Sequence, residues 1–189
     1  MKQDMIRYGM NAAVIFGLIL IFAYMTTFVH ELGHAAAIWA YGGKVLDLGV
    51  SSPLSFDDIS GYVLTDLPYS VPIVMGGITA TTVLALISCI AARRTIFTYF
   101  TLCLSACTLY NAAYSLSGFS DFTYLFTHSW WSALFSMGFI LLNAYLAHIS
   151  LEDMFDDLWR YRTIHSLEST LRLLTSIDIN WRRRRPALS

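Results

Sequence analysis

Phe28-Val29-His30-Glu31-Leu32-Gly33-His34 closes a long apolar run and carries three titratable side chains within five residues. Residues 10–29, which lead into it, contain no charged residue at all. Read as a helix, the stretch places His30 and His34 four residues apart on one face, where two imidazoles can hold one zinc ion. Glu31 stands about 100° further round a helix of 3.6 residues per turn. From there its carboxylate can reach a water on the metal without being a ligand. That is the arrangement of a metal-activated water with a Glu general base. In a soluble helix the same residues could be a solvated polar face. Here a charged side chain at the bilayer centre costs from about 3 to well over 10 kcal/mol. Three such groups at the end of a spanning segment need a compensating role. The rival is that His30 and His34 lie at a wet interface and bond to headgroups, and the burial cost favours the metal.

The rest of the chain supports a membrane setting. Of 189 residues 56% are hydrophobic and only 13% charged, with a mean hydropathy of +0.56, which excludes an ordinary soluble domain. A net charge of -1 gives no overall basic balance for nucleic acid. The four arginines at 182–185 read as an anchor at a lipid surface rather than a nucleic-acid tail. Cys89, Cys103 and Cys107 all lie in apolar runs, so they read as small packing residues rather than a disulfide framework. The first apolar run is too long for a signal-peptide core and reads as a retained span.

These features predict an all-α membrane protein with four transmembrane helices. The spans fall at about 8–40, 71–92, 96–116 and 130–150, making residues 1–150 one core. Gly42-Gly43 ends the first span. After it, Lys44 to Val50 alternates polar and apolar residues and 59–65 is a second possible strand, which together predict a small β-hairpin with a loop at 55–58. Gly76-Gly77 would let another helix approach closely. Residues 117–129 read as a short connection, and Trp130-Trp131 suit a membrane-water interface. Residues 151–189 read as an amphipathic surface helix with a basic tail.

A catalytic zinc usually has three protein ligands plus water. Two crossings bring the 117–129 connection back to the side of His30 and His34, and leave His148 and His165 at the opposite end. The candidates for the third ligand are therefore Asp121, His128, Asp47, Asp57, Asp58 and Asp66. Asp121 can equally be a turn residue, and Asn111 an interhelical hydrogen-bonding group.

The first motif, with its continuation Ala35-Ala36, resembles the first core helix of the site-2 protease family of intramembrane zinc metalloproteases. Gly43 to Val50 is similar to the strand region that follows there, and Met75-Gly76-Gly77-Ile78-Thr79-Ala80 to the start of the next core helix. Asn111 and Asp121 are similar to the family's later Asn-and-Asp motif, whose Asp is the third zinc ligand. The family's Asp is usually followed by Gly where this chain has Phe122, and the Asn-Pro and Pro-Leu elements around it are missing.

The resemblance implies a Zn2+ held by His30, His34 and Asp121, Glu31 as the general base, and Asn111 as a substrate-binding group. The expected activity is hydrolysis of peptide bonds in a membrane protein or peptide substrate, in a multi-pass protein of a bacterial plasma membrane. Two rivals stand beside it. A membrane regulatory or binding protein could keep the zinc as structure, though such a site needs no Glu31. A metal transporter would need polar residues along several helices. Orientation divides the indications. The 44–69 loop holds one basic and four acidic residues, which by the positive-inside rule puts the site outside, whereas the resemblance puts it nearer the cytoplasm.

Overall fold

A computed structural model describes residues 2–50, 61–92, 95–117 and 120–159. Helix α1 runs over Lys2–Ala40, strands β1 and β2 over Val45–Val50 and Gly61–Thr65, and helices α2 and α3 over Val71–Ala92 and Phe97–Tyr114. A 3-10 turn at Ser115–Ser117 leads to the short helix α4, Asp121–His128, and to the long helix α5, Trp130–Trp159. Three of these helices are long and apolar enough to cross a membrane: Tyr8–Ala40, Val71–Ala91 and Trp130–Trp159.

Two differences from the sequence expectation stand out. The 117–129 connection contains a helix, because Ser120 caps it: its Oγ accepts the Thr123 N–H at 3.3 Å. Phe122 and Leu125 then bury one face of α4 against Val74 and Ile78 of α2. Helix α5 also passes residue 150 without a break, since nothing in the Leu151-to-Trp159 sequence stops it. The remainder of the expected surface helix, 160–189, lies outside the described residues, as do the 55–58 loop, Asp57 and Asp58.

Helix α1 has 39 residues, roughly 58 Å, against a hydrocarbon core of about 30 Å. Its end is a Schellman turn. Gly43 N–H donates to Ile38 O and Gly42 N–H to Trp39 O, both at 3.0 Å, with Gly42 at φ 77°. That backbone conformation disfavours any residue with a Cβ. The chain then enters β1, which pairs antiparallel with β2 in the register Val50↔Gly61 to Val45↔Thr65, with an irregularity between Val45 and Asp47.

The bundle is built from α1, α2, α3 and α5. Helices α1 and α2 touch backbone to backbone: a Cβ on Gly33 would strike the Gly76 carbonyl, and one on Gly76 would strike the Gly33 carbonyl. Such small-residue crossings are how membrane helices pack without a hydrophobic driving force between them. Ile15, Phe22, Ala85, Tyr99, Phe100, Leu104 and Leu146 form the main core. Large side chains such as Phe16, Ile87, Ile90, Phe135 and Leu141 point outward, as a lipid-facing surface permits. Polar groups inside the bundle pair with each other: Thr81 with Thr108 at 3.0 Å, and Asn143 Nδ2 with Thr82 Oγ1 at 2.8 Å. At the end remote from His34, Asn11 and Tyr99 both bond to buried Asp157.

Candidate metal centre

The helical spacing of His30 and His34 puts both imidazoles on the face of α1 that meets α2 and α3. His34 Nδ1 donates to the Ile73 carbonyl at 2.7 Å. That bond fixes the tautomer of the neutral ring and leaves the Nε2 lone pair free. The free nitrogen points at His30 Nε2, 3.1 Å away. Gly77 on α2 makes room for the pair, because a Cβ there would come within 2.5 Å of His34 Nε2 and 2.8 Å of His30 Nε2. The sequence reading of Gly76-Gly77 as a helix contact therefore describes Gly76, while Gly77 faces the imidazoles.

Asp121 completes the group from a point 91 residues further along the chain. Its Oδ2 lies 2.9 Å from His30 Nε2 and 3.2 Å from His34 Nε2. As the first residue of α4 it is held by its neighbour: Phe122 is fully buried against Val74 and Ile78. The bulky Phe122 is thus the anchor that docks Asp121. Burial would raise the Asp121 carboxyl, but the facing His30 and His34 imidazoles prevail and hold it well below the ordinary carboxylate range.

Three acceptor atoms therefore converge within 3.2 Å of one another. Ligand atoms of one tetrahedral zinc stand about 3.3 Å apart, so the triangle fits a single metal ion. With the His34 ring proton committed to Ile73, convergent lone pairs would repel one another unless a proton or a cation sits between them. His30, His34 and Asp121 are all buried, and among the described residues they form the one such group able to hold a metal ion. The donor set, two imidazoles and a carboxylate, suits several divalent ions.

The other described sequence candidates fall elsewhere. His128, at the far end of α4, is exposed and stacks on Tyr124. Asp47 accepts a bond from Tyr62 Oη at 2.9 Å, and Asp66 from the Lys44 N–H at 2.7 Å. Glu31 is buried beside the triad, and the first residue of β2 lies over it: a Cβ on Gly61 would meet Glu31 Oε1 at 2.5 Å. Asn111 reaches the site with Nδ2 3.5 Å from His30 Nε2, and its Oδ1 is buried with no partner among the described residues.

One residue of the site has no sequence signal. Tyr69, in the segment between β2 and α2, donates its hydroxyl to Asp121 Oδ1 at 3.0 Å. Burial of that end, with the Asp121 charge beside it, pushes the phenol above its ordinary range, so it stays a donor.

Comparison with family models, with curated proteins and with solved structures finds no match for this chain.

Proposed function

We propose that this chain is an intramembrane zinc metalloprotease resembling the site-2 proteases, which hydrolyses peptide bonds of membrane-spanning substrates. The observation that carries the reading is the His30–His34–Asp121 triangle with buried Glu31 directly beside its first ligand. In this reading α1, α2, α3 and α5 are four spans. The exposed aromatics Trp39, Tyr41, Trp130 and Trp131 mark the membrane face at the site's end. His34 is six residues short of the end of α1, roughly 9 Å below that face.

A zinc ion on the triad supplies Lewis-acid activation of water and of the scissile carbonyl. The protein's own groups do the rest. Glu31 takes the proton of the attacking water and passes it to the leaving amine. Asn111, with its free Oδ1, accepts a bond from the substrate backbone. A substrate helix must unwind before it is cut, since its carbonyls are otherwise bonded internally. An edge of the β1–β2 hairpin can hold the unwound stretch by strand pairing. Because Gly61 lies on Glu31, a strand held there runs beside the general base.

The test is metal content and cleavage of a model transmembrane peptide by the purified protein, with and without a chelator. Cleavage that stops on chelation, returns with zinc and is absent in Glu31→Gln supports the reading. Stoichiometric metal with no cleavage of any such peptide overturns it, in favour of a regulatory membrane protein with a structural zinc.

A further inference from the structure

Tyr69 stands two residues before α2, outside every helix and strand. The residue is 57% exposed, yet its hydroxyl turns inward to Asp121. It bonds Oδ1, while Oδ2 faces both imidazoles. The two oxygens of one carboxylate thus have different partners. The phenol is itself held in place. Tyr124 Oη donates to the Tyr69 carbonyl at 3.3 Å, and the two rings pack edge to face with centroids 4.9 Å apart. Tyr124 belongs to the same short helix as Asp121, so Tyr69 and α4 grip each other at two points.

A carboxylate beside a divalent cation can bind through one oxygen or swing to bind through both. The second mode fills a coordination position. A catalytic site must keep that position open for water or substrate, whereas a structural site has no such need. A hydrogen bond to the outer oxygen blocks the swing, as partners behind the ligands do at metal sites generally. We propose that Tyr69 is a positioning residue that restricts Asp121 to single-oxygen ligation and so keeps one metal position open. This rests on the reading of His30, His34 and Asp121 as the metal ligands.

Tyr69→Phe removes the hydroxyl and leaves the ring packing on Tyr124. The probe is Co(II) alone, added to the purified full-length protein in detergent. Four-coordinate cobalt absorbs visible light much more strongly than five-coordinate cobalt, so the spectrum reports whether Asp121 has taken a second position. Tyr69→Phe should bind one cobalt per chain, while its visible absorption falls as the second Asp121 oxygen makes the ion five-coordinate. With a peptide substrate, kcat should fall about 10- to 100-fold with little change in KM. A parent-like cobalt spectrum in Tyr69→Phe would overturn the proposal. So would complete loss of cobalt from a variant whose metal-free form elutes and melts like the parent, since the hydroxyl would then retain the ligand rather than restrain it. A parent protein that binds no cobalt overturns this proposal and the metal reading together. A parent that binds cobalt, shows the expected spectral change in Tyr69→Phe, and cleaves nothing upholds Tyr69 and refutes only the protease.

Discussion

Gly77→Ala should cripple metal binding with a single methyl group. The added Cβ would lie 2.5 Å from His34 Nε2 and 2.8 Å from both Cε1 and Nε2 of His30. Cβ atoms essentially never come within 3.0 Å of a neighbour, so the His34 nitrogen must retreat by about 0.5 Å. Metal-ligand distances tolerate only about 0.2 Å. A metal-free imidazole can relieve the clash by swinging off the Ile73 carbonyl, but a ligated one cannot. The strain therefore falls mainly on the metal-bound state. Overpacking of this kind costs about 1–3 kcal/mol, which corresponds to roughly 5- to 150-fold weaker binding. Chelator competition on purified protein measures it directly. Gly138→Ala on α5 is the control, because nothing lies within 4 Å of a Cβ there, and it should bind metal like the parent. If Gly77→Ala also matched the parent, the triangle would not be the metal site.

Glu31→Gln should retain stoichiometric metal and lose about 10²- to 10⁴-fold in cleavage rate, as read by metal analysis and a peptide assay on the same sample. Asp121→Ala should lose both metal and activity, whereas His128→Ala, exposed on Tyr124, should keep both; zinc stoichiometry of the two variants reverses if His128 is the third ligand. Phe122→Ala should lower stability by about 3–5 kcal/mol and weaken metal binding as well, because the anchor of Asp121 is gone; a thermal melt and chelator competition would have to change together.

The sequence was most legible where one physical requirement dominates. Long uncharged runs have no soluble home, so α1, α2 and α5 could be read from residues 8–40, 71–92 and 130–150. His30 and His34 could be paired because helical spacing alone brings them together. The hairpin was visible in its alternation, with Gly61 rather than Ile59 as the first described residue of β2. The third member of the cluster is different in kind. Position alone leaves six candidates, and the packing of Phe122 and Leu125 on α2 brings Asp121 to the imidazoles. Helix α4 had a signal that could have been used: Ser120 as a cap, then Phe122, Leu125 and Phe126 at helical spacing. Tyr69 had none. Its role depends on where two separate segments dock, and no local pattern encodes that.

The separation of the proposed ligands along the chain has a mechanical consequence. His30 sits in α1 and Asp121 in α4, 91 residues apart. A metal ion shared between them would be a removable cross-link that closes most of the bundle into one loop, as a disulfide does in a secreted protein. For an unfolded chain in water, closing a loop of that length is worth about 4–5 kcal/mol. In a bilayer, where spanning helices persist in the unfolded ensemble, the effect is smaller but of the same sign. Chelation should then loosen the clasp between the first helix and the last two, and the whole assembly should melt at a lower temperature.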